Sequence, residues 1–251
     1  MNVKEQVYNV LLMPIQCKEH SGFNQEREVQ INNKGSIIET TQTYWPEYIN
    51  KNTGKSFRYK FIPDCDMSDF ACGFYEILYG DAFKCQKIVD ENNGCLINKN
   101  FAGDTMISVS KLPGLKNKYH CLANFWILPT ELGRKSDDKL SKTGHYYEIE
   151  DFMDRFLLLL KYKFEEYKKV FPDYFSHIEG FDNLSDVHFI KESYLDEHNN
   201  VLQFSNNINE KTEEYLWNCI KKRAEMIANS KFSSRLMEYF IRNNIIKNST
   251  Y

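Results

Sequence analysis

The chain contains no Cys-x-x-Cys, no Gly-x-x-x-x-Gly-Lys-Ser/Thr, no Gly-x-Gly-x-x-Gly, no Gly-x-Ser-x-Gly and no His-Glu-x-x-His. These absences remove support for nucleotide-triphosphate-driven, dinucleotide-dependent, α/β-hydrolase and zincin chemistry. The cysteines number 7, which is odd, and their spacing fits neither a zinc ribbon nor a disulfide framework. They read as reduced core thiols. No apolar run reaches the roughly 18–20 residues that span a bilayer. Val7 to Pro14 is too short and too weakly flanked for a secretory signal, and reads as a first strand or helix. The expected address is the cytoplasm, with no membrane contact. Proline and glycine are sparse, at 6 and 11 of 251 residues, and no Pro-, Gly- or Ser-rich linker divides the chain. A single domain over 1–251 is expected. The net charge of −3 disfavours extended duplex binding while leaving room for a local basic patch.

Aromatic residues are plentiful, with 18 Phe and 16 Tyr. They supply material for a packed core and argue against disorder. The order of patterns predicts an α+β fold, with a β-rich half (1–130) packed against a mainly helical half (148–245). Glu28 to Ile38 alternates around Asn32-Asn33-Lys34-Gly35, a hairpin turn. Ser56 to Ile62 alternates as a half-buried strand does. Asp69 to Tyr79 has helical spacing ending at Gly80, and Asn92-Asn93-Gly94 reads as a turn. From Ile149 the apolar positions 149, 152, 153, 156, 157, 160 and 164 predict one long helix face, stopped by Pro172. Further helices are expected over 210–229, with Asn209 as N-cap, and over 232–243. Residues 133–145 read as an exposed loop.

The segment Tyr119 to Arg134 carries the candidate chemistry. His120 and Asn124 stand in an apolar run, where a polar group costs free energy unless it is hydrogen-bonded. The bland reading of His120 is a satisfied core histidine. Asp104 follows Ala102-Gly103 at the mouth of a short apolar strand, a place for a cleft or for a turn. Phe125 and Trp126 are either core or a stacking wall for a planar ligand. Arg134, after Gly133, is either a phosphate or carboxylate binder or a surface charge. Asp64, Asp66 and Asp69 could ligate a hard cation, but they read better as a helix start capped by Asp66 or Ser68. The other histidines, His145, His177, His188 and His198 among them, show no metal spacing and read as surface or loop residues. No metal and no cofactor is expected.

Several elements occur in an order that resembles an uncharacterised bacterial domain-of-unknown-function family. They are Tyr44-Trp45, Asn52-x-Gly54-Lys55-x-Phe57, Gly103-Asp104-Thr105-x-Ile107, Leu122 to Pro129, Gly133-Arg134, Ile149-x-Asp151-x-x-Asp154-x-Phe156, and a Phe-rich stretch from Phe171 to Phe181 running into Asp186. The chain lacks the family's Asn-Gln-Ala run before the Gly-Arg pair. The resemblance implies a bacterial, cytoplasmic, single-domain α+β protein and carries no activity with it.

Two functions follow from the residues. The first is an enzyme acting on a nucleotide or nucleic acid, most concretely on an N-glycosidic bond, in a toxin or phage-defence setting. Asp104 would stabilise the oxocarbenium-like state or activate water. His120 would act as acid or orienter, Asn124 would read a base edge, Trp126 or Phe125 would stack, and Arg134 would hold phosphate. This reading requires the side chains to converge on one hollow. The second is a non-enzymatic interaction protein using its basic C-terminal helix, with Lys221, Lys222, Arg223, Lys231, Arg235, Arg242 and Lys247 interleaved with Tyr239, Phe240 and Ile241. The bland alternative is an amphipathic helix packed on its own domain.

Overall fold

Two side-chain caps start the helices of the first half. Asn2 accepts the Glu5 N–H at 2.9 Å and opens α1, Val3–Leu11. Ser68 accepts the Ala71 N–H at 3.0 Å and opens α2, Asp69–Phe83. The structure, a computed structural model, describes residues 2–13, 27–31, 37–41, 47–49, 56–58, 66, 68–90, 94–97, 101–107, 113–115, 118–129, 153–204, 210–243 and 245–246. The expected turns at 32–35 and 92–93, the Asn209 cap and the 133–145 loop lie outside them.

The fold is α+β in the coarse sense: eight helices with short antiparallel strands among the described residues. Among the described residues the strands form separate two-stranded pairs, with no larger sheet joining them. They are β1 (Arg27–Ile31) with β2 (Ile37–Thr41), β3 (Glu47–Ile49) with β4 (Ser56–Arg58), β5 (Lys87–Asp90) with β6 (Gly94–Ile97), and β7 (Phe101–Thr105) with β8 (Phe125–Pro129). The helix α2 packs against the β5–β6 and β7–β8 pairs, and its Ala71, Cys72, Phe74, Tyr75 and Tyr79 are sealed from solvent. It continues past Gly80 and ends at Lys84, which takes a left-handed φ of 53°.

The long helix expected from 149 is broken in the structure. α3 (Met153–Tyr162) stops at Lys163, α4 (Phe164–Val170) follows, and α5 (Pro172–Phe175) begins at the proline. Pro172 therefore starts a helix, since its fixed φ and missing N–H suit the first helical position. α6 (Phe181–Val187), α7 (Glu210–Asn229) and α8 (Ser233–Arg242) complete the set. α7 buries Leu216, Cys219, Ile220, Ala224 and Ile227, the stripe expected from the sequence spacing.

α1 lies against α7 and α8, so the chain's first and last helices share one core with α2. Leu236 and Phe240 of α8 are fully buried, and Tyr239 stacks on Phe70 with ring centroids 5.4 Å apart. Gly73 permits this approach: a Cβ there would lie 2.6 Å from Tyr239 Cζ. α8 is thus a packed helix, and its apolar face is not free to receive a partner. No helix among the described residues is long and apolar enough to cross a membrane.

Candidate functional site

The β7–β8 hairpin carries most of the residues singled out in the sequence. Its register sets Asp104 opposite Trp126 and Thr105 opposite Phe125. Directly opposed residues share a face, so Asp104 lies on the Trp126 side and Phe125 on the other. The His120 ring packs 6.0 Å from Phe125 and 4.0 Å from Tyr119, away from the Asp104 side. Asp104 is half-buried within β7, and its Oδ1 accepts the Thr105 N–H at 2.7 Å.

Asn124 is fully buried. Its Oδ1 accepts the Ile107 N–H at 3.1 Å, and its Nδ2 donates to Ile107 O and Tyr119 O, both at 2.9 Å. Both amide hydrogens are used, so no base edge can be read there. The strand expected to open near Tyr119 begins only at Phe125, because Leu122–Asn124 forms a 3-10 turn. Phe125 and Trp126 are at most 1% exposed, and Trp126 meets Phe156 and His188 edge-on. They are core residues with no face for a stacked ligand. Arg134 lies outside the described residues. Among the described candidates, Asp104, His120, Asn124, Phe125 and Trp126 do not converge on one hollow; of these, Asp104 and His120 are partly exposed, on opposite sides of the hairpin.

A buried hydrogen-bond chain, unforeseen in the sequence, runs behind this hairpin. Arg223 of α7 is 0% exposed. Its Nε donates to His188 O at 2.8 Å, its Nη1 to Ala123 O at 2.7 Å and Phe125 O at 2.9 Å, and its Nη2 to the Tyr79 hydroxyl at 2.8 Å. The Tyr79 hydroxyl lies 3.2 Å from His188 Nδ1, and His188 Nε2 lies 2.8 Å from the Tyr174 hydroxyl. Tyr174 donates to Ile127 O at 3.0 Å. Donor counting gives one consistent order. Tyr174 spends its hydrogen on Ile127, so it accepts from His188 Nε2–H; His188 Nδ1 then accepts from Tyr79, which accepts from Arg223. The imidazole is neutral in this order. Burial, with the Arg223 charge adding to it, holds its pKa well below the ordinary value. Burial also pushes the Tyr79 phenol up to about 12, against the opposing pull of Arg223.

His188, read from the sequence as a surface or loop residue, lies in a turn, and Arg223, read there as part of a basic C-terminal stretch, lies on α7; both are sealed. A signal for each exists in the sequence. Arg223 occupies the apolar stripe between Ile220 and Ile227, and His188 stands inside Val187-His188-Phe189-Ile190.

A surface groove of about 310 Å³ is lined in part by Leu78, Val187 and Phe189, the sequence neighbours of Tyr79 and His188. Leu78 and Ala82 of α2, Val187 of α6, Phe189, and Phe232 in the α7–α8 turn form its apolar walls. Phe189 holds a left-handed φ of 57°, and its ring meets Phe232 edge-on at 6.2 Å. Asp81, Asp186 and Lys231 stand at the rim. Asp81 pairs with Lys231 at 3.7 Å and Asp186 with Lys191 at 3.2 Å. The groove's one hydroxyl, Ser230, is tied into the turn by bonds to Ile227 O and the Phe232 N–H. The groove therefore offers apolar contact and rim charge. Among the described residues no His, Cys, Asp and Glu form a cluster able to hold a metal ion.

No family model, curated protein or solved structure matches this chain.

Proposed function

We propose that this protein acts by binding, and that the groove between α2, α6 and the α7–α8 turn takes a small, largely apolar ligand. The observation that carries this reading is the groove itself. Its volume of about 310 Å³ falls at the lower end of the range of about 300–1,000 Å³ common to small-molecule sites. Its lining is mainly apolar and aromatic, and its charged side chains, Asp81, Asp186 and Lys231, are well exposed. The lining holds the carboxylates of Asp81 and Asp186 against the single ammonium of Lys231, a balance that disfavours the phosphates of a nucleotide. The exposed Lys222, Arg235 and Arg242 remain free to steer an anionic partner, but Arg223 does not belong to that surface. The buried free thiols Cys72, Cys85, Cys121 and Cys219 support a reducing, cytoplasmic setting.

The test is a fragment screen followed by methyl NMR on the full chain. Apolar fragments are expected to shift the signals of Leu78 and Val187, and Ala82→Trp, which fills the groove, abolishes those shifts. A screen in which no fragment perturbs those methyls removes the reading.

One observation favours the hydrolytic reading as a second. Asp104 is a half-buried carboxylate residue on β7. If the protein cleaves an N-glycosidic bond, it releases free base from nucleotides or single-stranded nucleic acid, and Asp104→Asn abolishes release without changing the melting temperature. Equal release by both proteins, or none by the unaltered one, ends that reading.

A further inference from the structure

The groove already holds an ammonium of its own. Lys231 Nζ lies 5.1 Å from the centroid of the Phe232 ring and 3.7 Å from Asp81 Oδ2. A ring face and a carboxylate on one cation make a seat that matches ammonium chemistry, because the ring's negative face and the carboxylate both attract positive charge. The Lys231 side chain is 74% exposed and that of Asp81 70%, so the lysine is held weakly and exchanges with solvent. Asp186 adds a second carboxylate to the same lining, and the apolar walls run inward from it.

We propose that the ligand of this groove is a small apolar amine, carried as its ammonium. Its apolar body packs on Leu78, Val187 and Phe189. Its charged head takes the place that Lys231 fills in the empty groove, between Asp81 and the Phe232 face. Lys231 swings into solvent as the head enters, so the lysine acts as an internal competitor. The inference rests on the binding reading above and names the ligand class for that site.

Three probes of one shape test it: 3-phenylpropylammonium, 3-phenylpropanol and 3-phenylpropionate, titrated into the full chain by calorimetry and methyl NMR. The ammonium is expected to bind about three- to tenfold more tightly than the alcohol, the gain of an exposed ring and carboxylate contact, with the carboxylate weakest. Lys231→Ala, which removes the competing ammonium, raises the preference for the ammonium over the alcohol about threefold. Asp81→Asn removes most of the preference for the ammonium. Equal affinity for ammonium and alcohol, or preference for the carboxylate, overturns the ligand class while the groove survives as a binding site. Failure of all three probes to perturb Leu78 and Val187 overturns the groove reading and this inference with it.

Discussion

Asn124 and Ile107, separated by 17 positions, bond through both ends of one side-chain amide: Oδ1 accepts the Ile107 N–H and Nδ2 donates to the Ile107 carbonyl. The amide stands in for a strand neighbour at the point where β7 ends. Asn124→Ala leaves the buried Ile107 groups and the Tyr119 carbonyl without that partner. The expected cost is at least about 2 kcal/mol in urea denaturation, since each buried unpaired group costs about 1–3 kcal/mol. Asn124→Asp costs as much or more, because a carboxylate cannot donate. A change below about 0.5 kcal/mol for either variant would contradict this role.

Arg223 is the larger hinge of stability. Its guanidinium serves the carbonyls of Ala123, Phe125 and His188 and the hydroxyl of Tyr79. Arg223→Met fills the space but leaves these acceptors buried and bare, and about 3–5 kcal/mol is expected to be lost. Arg223→Lys recovers only part, because a single ammonium cannot reproduce the fork. Equilibrium unfolding of the series checks the order: unaltered protein, then lysine, then methionine. A methionine variant as stable as the parent would mean that the hydrogen bonds contribute nothing net.

His188 gives the protein an acid sensitivity with a definite sign. The folded-state pKa lies well below the ordinary value of about 6.5, so below that pH the unfolded chain binds the proton and the folded protein does not. Stability from this group is complete above about pH 6.5 and falls as the pH drops, by up to about 1.4 kcal/mol per pH unit. His188→Gln is less stable at pH 7, but its stability changes less between pH 6.5 and 5. Parallel stability curves for the two proteins would show that His188 is not the titrating group.

Truncation after Asn229 removes α8, and with it Leu236, Phe240 and the Tyr239 ring over Phe70. The expected product is insoluble or dye-binding, because apolar surface on α1 and α2 is laid open. Each fully buried large apolar side chain is worth about 1.5–3 kcal/mol. A soluble, cooperatively folding fragment would instead mark α8 as an appended arm.

The helices were readable wherever an apolar stripe repeated at helical spacing. α7 runs from Glu210 to Asn229, the span its spacing predicts, and Ser68 caps α2 as its residue type suggests. The break at Lys163 was not readable, because the apolar pattern continues across it from Leu160 to Phe164. Sequence also suggested that polar residues in apolar runs matter, and it pointed at Asn124. It could not say that the amide would be consumed by backbone bonds, since Ile107 and Tyr119 become its partners only once the hairpin closes. The groove was hidden for a similar reason: α2, α6 and the α7–α8 turn contribute walls from distant parts of the chain. Arg223 was hidden by its neighbours, because Lys221 and Lys222 made it look like one member of a basic surface.

Phe189 sets two demands against each other. A left-handed backbone at a bulky residue is uphill, by roughly 1–3 kcal/mol. Glycine at that position would relax the chain there, yet it would delete an aromatic wall of the groove. Backbone ease and ring packing therefore pull residue 189 in opposite directions. Because the ring packs on Phe232 and against the core, packing outweighs the strained backbone, and whatever shapes this cleft is anchored by a residue the local chain geometry alone would never choose.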